Sequence, residues 1–375
     1  MLMNLVLLLG KTVPKPVPSR INEAISNIEI THILGDRSGF QVSFQLNRVE
    51  LSEQLDDPLI KETLLEPFSR MILGITIDAT PQILIDGIIT HHQVQYTDEG
   101  EVILVVTGED VSVMMDLEEK SVLHTAQAEH TIATKIISTY SRYGLIPSVK
   151  APPTIDTPTP TERMPSQQET DLAYLRRMAE RFGYVFYIQP GLTTGSNTAY
   201  WGPARSTAPP LRALTVDLGS FTNVNSIHVR VDALSATTID GQIQDRKTNA
   251  IQGVSISKSQ RTPLTARTAL TLQSTPRLTQ FRGTGHTQGR GTGLAQGLVD
   301  RSVDRSVTLT GTLDTLVYGD ILQVGKSTEV RGMGNTHNGR YIIQQVSHSI
   351  ANSNYTQQFT LFRDGIGSRE ILVKV

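Results

Sequence analysis

The residues best suited to chemistry are the histidines, one carboxylate cluster and one glycine run. His91 and His92 are adjacent. Neighbours on a strand point to opposite faces, so these two do not converge easily on one ion. His124 and His130 stand six residues apart with no carboxylate at a fixed spacing nearby, and no H-E-x-x-H occurs. Metal ligation is not expected from such a set. Asp116, Glu118 and Glu119 cluster near a predicted strand-to-helix junction, where a charge run reads as a solvated surface. A glycosidase needs two carboxyls facing each other across a cleft, and no spacing here marks such a pair. The G-x-S-x-G turn that carries a hydrolytic serine nucleophile is missing. The chain has no cysteine, which excludes disulfides, thiolate nucleophiles and cysteine-based zinc sites. The expectation is therefore no catalytic residue, no cofactor-binding residue, no metal ligand and no enzyme.

Gly283, Gly285 and Gly289 form G-x-G-x-x-x-G, and Gly291, Gly293 and Gly297 repeat that spacing. A dinucleotide fingerprint needs G-x-G-x-x-G between a strand and a helix. The spacing differs and no clear strand precedes it, so residues 282–293 read as a mobile loop. Arg282, His286 and Arg290 make that loop locally basic.

The elements that must carry these residues are mostly strands. Phe40, Val42, Phe44 and Leu46 alternate with Gln41, Ser43 and Gln45, the pattern of a half-buried strand. Residues 227–231 and 355–361 repeat it. Runs at 82–89 and 102–107 are apolar on both faces and predict strands covered on both sides. Two helices are predicted. One follows Thr131, with Ile132, Ile136, Tyr140 and Tyr143 on one stripe and Gly144 as its stop. The other spans 167–182: Ser166 and Glu169 make a capping box, Leu172, Leu175 and Met178 an apolar stripe, and Gly183 the stop. Its Arg176 and Arg177 are expected on the exposed side. Five prolines in 151–165 predict an extended linker, and 203–210 is a second proline-bearing break.

The 375 residues suit two or three domains. Formal net charge is -2 and charged residues make up 19%, so no basic nucleic-acid-binding domain is indicated. The apolar run at 5–9 is far short of the ~20 residues of a membrane span. Without a preceding Lys or Arg or a following small-residue cleavage site, it reads as a buried first strand, not a signal peptide.

Several segments in order resemble one family. The stretch SQQETDLAYLRRMAERFGY at 166–184 looks like the acid-containing helix, glycine and aromatic strand of the central hub proteins of contractile machines. Gly39 to Phe44 resembles the early strand of that family. Gly108-Glu109-Asp110 with Met115-Asp116 resembles the end of its first barrel, and Tyr318-Gly319-Asp320-Ile321 with 338–348 its last barrel. The family includes the late control protein D group of phages and the N-terminal part of the valine-glycine repeat spike proteins of type VI secretion.

The resemblance implies a mainly β chain with an α/β insertion and two tube-like antiparallel β-barrels. The expected domains are 1–120, a first β-barrel; 121–205, a helical α/β insertion with the proline-rich linker; 206–240 plus 307–375, a second β-barrel; and 241–306, an irregular Gly-rich insertion. It implies a structural baseplate hub: a homotrimer joining the hexameric inner tail tube, or a tube initiator, to a separate trimeric central spike. Other baseplate proteins would be partners, and tape-measure protein, cargo or DNA would pass through the lumen. The expected location is a virion or injection-particle baseplate assembled in the bacterial cytoplasm. The alternatives are a tail-associated cell-wall hydrolase and a monomeric ligand-binding β-protein.

Overall fold

A computed structural model describes residues 3–11, 13–46, 63–77, 80–96, 101–205, 208–351 and 354–369. Ser206 and Thr207 of the second proline-bearing break, and residues 370–375, lie outside the described residues.

Alternating apolar and polar side chains build a first six-strand module: Met3–Gly10 (β1), Ile25–Ile33 (β2), Gly39–Leu46 (β3), Arg70–Ile77 (β4), Thr80–Tyr96 (β5) and Val102–Asp110 (β6). They pair antiparallel in the order β2-β3-β6-β5-β4-β1. Ile28, Ile30, Val42, Phe44, Leu104 and Val106 turn one face inward onto a common core with Leu7 and Leu73.

An α/β unit follows: Glu119–Leu123 (β7), Glu129–Thr139 (α1), Leu145–Val149 (β8), Ser166–Thr170 (β9), Asp171–Arg181 (α2), Tyr184–Pro190 (β10) and Asn197–Pro203 (β11). Its own core gathers Ile132, Ile136, Leu172, Leu175, Met178 and Trp201.

The second module begins with Leu211–Thr215 (β12) and Ser226–Val231 (β13). Thr237–Asp245 (β14), Ile251–Ile256 (β15), Arg277–His286 (β16) and the helix Gln288–Asp304 (α3) interrupt it. It resumes with Val307–Asp314 (β17), Ser327–Arg331 (β18), Gly339–Ala351 (β19) and Asn354–Arg363 (β20). Its order is β13-β17-β20-β19-β18-β12. β13 pairs with β17 although the α/β interruption lies between them in the chain; such a gap costs little, because loop-closure entropy grows only logarithmically.

The two modules are repeats of one topology. Taken in chain order, β1 to β6 correspond to β12, β13, β17, β18, β19 and β20. Even an irregularity recurs. The β5–β6 ladder skips one residue between Ile89 and His91, and the β19–β20 ladder skips one between Ile343 and Gln345. One pairing differs: β1 runs antiparallel to β4, whereas β12 runs parallel to β18. The modules share one continuous sheet, because β19 pairs antiparallel with β2 from Gln345↔Ile33 to Ala351↔Asn27. The fold is therefore mainly β, with large antiparallel sheets and α/β material between two tube-like modules.

Several expectations need correction. The segment 241–306 is not irregular: β14, β15 and β16 form a three-stranded sheet with α3 packed on it. Residues 282–293 are not a loop but the end of β16 and the start of α3. Glycine disfavours helix by about 1 kcal/mol relative to alanine, so the local signal pointed to a loop. Close packing decides otherwise. A Cβ on Gly289 would meet Thr154 of the proline-rich segment, one on Gly291 would meet Ile243 of β14, and one on Gly297 would stand 2.5 Å from the Phe182 carbonyl carbon. The capping box is not used either. Ser166 and Glu169 lie in β9, paired with β7, and the Thr170 side chain caps α2 by accepting from the Ala173 N–H. Arg176 and Arg177 are half-buried and engaged, with Asp36 at 2.7 Å and Glu169 at 2.6 Å. Tyr143 sits in a short 3-10 turn after α1, and Gly144 ends that turn at φ +80°.

Two substitutions test this packing by chemical denaturation. Leu175 is fully buried at 0% exposure, so Leu175→Ala should cost about 2–5 kcal/mol. Gly297→Ala should also destabilise, by about 1–3 kcal/mol, because its neighbours at Phe182 and Gly183 are backbone and cannot step aside. A neutral or stabilising Gly297→Ala, as helix propensity alone would give, would contradict the close α2–α3 approach.

Candidate functional site

Period-2 alternation gives the continuous sheet a second face. Opposite the cores, eight strands run side by side in the order β13-β17-β20-β19-β2-β3-β6-β5. The ladders align their outward residues. Ser226, His228 and Arg230 stand beside Thr312, Thr310 and Thr308. Those continue through Gln358 and Thr360 to Ser347 and Gln345. Across the joint lie Thr31, Glu29 and Asn27, then Gln41 and Ser43, then Thr107 and Val105, and finally His91 and Gln93. Of these named side chains only Glu29 and Arg230 carry full charge. The rest are mostly Ser, Thr, Gln and His. Hydroxyls bond across strands: Thr31 with Ser347 at 3.0 Å and Ser226 with Thr312 at 2.8 Å. Around Ser226, Thr310, Ser347 and Thr360 the face forms a shallow open depression. A surface of this kind offers hydrogen bonds to passing water and, with one acid and one base among these side chains, no cluster of like charge to hold a polyion.

The residues singled out by sequence do not converge. His91 lies on the polar face and His92 on the core side, since they oppose Thr107 and Val106 respectively. His124 is buried beside Gln167 Oε1 at 3.2 Å and stacks on Tyr174. His130 is half-buried on α1. Asp116 accepts from Thr170 Oγ1 at 2.6 Å and pairs with Arg37 at 3.4 Å. Glu169 pairs with Arg177; Glu118 and Glu119 are exposed. Among the described residues no group of three or more His, Asp or Glu could hold a metal ion. The start of α3 does follow a strand, yet its anion position is filled from within. The Asp245 carboxylate accepts from the backbone N–H groups of Gln288, Lys247 and Thr248 at 2.8–3.0 Å, which holds it below the usual carboxylate range.

The strongest polar clusters instead tie units together. Arg70 grips Asp86 with two hydrogen bonds at 2.6 and 2.7 Å and reaches the Tyr143 carbonyl; Asn197 also donates to Asp86. That clamp joins the first module to the α/β unit. Buried Arg290 pairs with Glu129 and donates to His286 at 2.9 Å. Arg246 binds Asp156 at 2.6 and 2.9 Å and so pins the proline-rich segment. Arg205 and Arg261 share Asp304, and Arg205 also reaches Asp364. Charge-assisted, two-point contacts of this kind fix orientation as well as position. Sequence reasoning missed them because their partners are up to 159 residues apart.

It also missed His32 and His348. Both are buried at the joint between the modules, with ring centroids 5.5 Å apart. His32 bonds Ser38 and His348 bonds Tyr355. Burial lowers the His32 pKa to about 4 and the His348 pKa well below the ordinary value, with His32 adding to the second shift. The folded state thus holds both neutral, while the unfolded state takes up protons below about pH 6.5. Stability is full above that pH and falls as pH drops toward 4, by on the order of 3 kcal/mol for His32 alone. The melting temperature should therefore decline between about pH 7 and about pH 5, and less steeply in His32→Gln/His348→Gln. An equally steep decline in that variant would assign the acid sensitivity elsewhere.

No family model matches the chain, and no curated protein matches it in sequence. Solved structures do match in fold. A tail protein from Neisseria meningitidis MC58 aligns over 97% of this chain and 98% of its own, with 14% identity and a TM-score of 0.64. The 43 kDa tail protein of prophage MuSo2 from Shewanella oneidensis aligns over 96% and 98%, with 15% identity and a TM-score of 0.64. An Escherichia coli component of the type VI secretion system, itself described as similar to T4 bacteriophage tail proteins, aligns over 93% and 77%, with 13% identity and a TM-score of 0.56. Over nearly its whole length, then, this chain has the fold of phage tail proteins and of a type VI secretion component.

Proposed function

We propose that this chain is a structural baseplate hub, a homotrimer that adapts the sixfold inner tube of a contractile tail or injection particle to a threefold central spike. The observation that carries the reading is the duplicated module. One chain holds two copies of the same six-strand topology, joined edge to edge in one sheet. Three such chains around an axis present six equivalent modules, so a single ring can meet sixfold and threefold partners on its two ends. The full-length fold match to tail proteins supports the same reading.

The partners are then the inner tube protein or its initiator, the spike and neighbouring baseplate proteins. The neutral polar face lines the channel, over which tape-measure protein, cargo or DNA passes. The work is adaptation and conduction, without catalysis, at a baseplate assembled in the host cytoplasm. The hydrolase alternative needs two carboxylates free to act across a cleft. Asp116 and Glu169 are each held by their own structural partners, which favours the hub.

Light scattering of the purified hub with its spike should give a trimer-to-trimer complex; a one-to-one heterodimer would contradict the reading. The lining has its own test. Gln41→Lys, Thr310→Lys and Gln358→Lys together should leave particles assembled but impair delivery, because a basic lining binds phosphates with salt-dependent strength. Normal delivery by such particles would remove this face from the channel. Zymography on cell wall should show no clearing.

A further inference from the structure

Among the described residues the eight-strand run ends in two unpaired edges. At one end, β13 pairs only with β17 among the described residues. At the other, β5 from His91 to Tyr96 pairs only with β6 among the described residues, because its pairing with β4 stops at Ile88. Each edge is about six residues long, and an unpaired edge is a template for another strand.

The repeat says what belongs there. Superimposing the two ladder irregularities, at Thr90 and Gln344, puts Gln93 in the place of Ser347 and Tyr96 in the place of Ile350. Following the ladders onward puts Ile227 in the place of Ile28, Arg230 in that of Thr31 and Val231 in that of His32. Within the chain, β19 and β2 already join as neighbours, with Ser347 opposite Thr31 and Ile350 opposite Ile28. Among the described residues, the two edges are the same two strands of the repeat without the pairing that joins β19 and β2. Their exposures agree. Ile350 is 7% exposed in the joint, while its equivalent Tyr96 is 74% exposed at the free edge. His32 is 8% exposed, while its equivalent Val231 is 50% exposed.

We propose that β5 of one copy pairs antiparallel with β13 of the next copy of this chain, in the register of the internal joint. Gln93 then stands opposite Arg230 of the next copy, Val94 opposite its Val229, and Tyr96 opposite its Ile227. Tyr96 and Ile227 fall on the core-facing side and become covered, and the polar face continues unbroken from copy to copy. No carboxylate meets a carboxylate in these three pairs. This rests on the trimeric hub reading and adds to it the contact and its register.

The test uses the natural absence of cysteine. In Gln93→Cys/Arg230→Cys the new thiols replace the equivalents of Ser347 and Thr31, whose hydroxyl oxygens are 3.0 Å apart. The two positions lie at opposite ends of the eight-strand run in one copy, so a disulfide must join two copies. With oxidised glutathione as oxidant, a non-reducing gel should show dimer and closed trimer. Gln93→Cys/His228→Cys, displaced by two residues, should stay uncrosslinked, since diagonal neighbours sit about 7–8 Å apart and a disulfide needs its Cβ atoms within about 4.5 Å. Both single-cysteine variants should scatter like the parent chain, which checks folding. A trimer in light scattering with the first pair uncrosslinked, or with the displaced pair crosslinked, overturns the register and leaves the hub reading standing. A single-copy mass in the presence of tube and spike proteins overturns the hub reading itself.

Discussion

The backbone pairing of β2 with β19 is the contact on which the rest of the molecule depends. Each module curls its apolar face around its own core, and curling leaves strand edges whose amides and carbonyls need partners. At this joint the two modules satisfy each other from Gln345↔Ile33 to Ala351↔Asn27. The same pairing fixes which side chains face outward along both modules at once, because strand register admits only steps of whole residues and a single-residue slip would exchange the faces. The continuity of the neutral polar face is thus a consequence of main-chain geometry at one seam.

Around that seam the other units act as braces. The α/β unit is held to the first module by Arg70 and Asp86, and the α3 unit is held to the second by Arg205, Arg261, Asp304 and Asp364. These charges are buried, and buried pairs contribute orientation more dependably than net stability. The glycines of α3 serve the same end sterically. They let a helix lie against the proline-rich segment, the β14–β16 sheet and the end of α2 at once. The paired histidines at the seam work under a different constraint, since they pack well only when neutral.

How much of this was legible follows from the range of each interaction. Strands with strict alternation, such as Phe40 to Leu46 and Tyr355 to Leu361, could be read directly, because one face of each is buried along its whole length. The α2 stripe of Leu172, Leu175 and Met178 was legible for the same reason. The start of α2 was not, because β7 claims Ser166 and Glu169 for a strand pairing that local capping signals cannot see. The helix in the glycine run was illegible because its stabilisation is tertiary. The repeat was hidden as well: Gln93 and Ser347, or Tyr96 and Ile350, share a place in the sheet without sharing a residue type. What recurs is the ladder and its one-residue irregularity, a property of pairing that is absent from composition and periodicity.

The central claim is that two modules per chain act as six around an axis. End-on electron micrographs of the assembled hub test it most directly. The account predicts a closed ring with six similar lobes that repeat strictly only every third of a turn, because alternate lobes carry different insertions. A ring with any other number of lobes, or particles with two modules and no ring in the presence of tube and spike proteins, would contradict it.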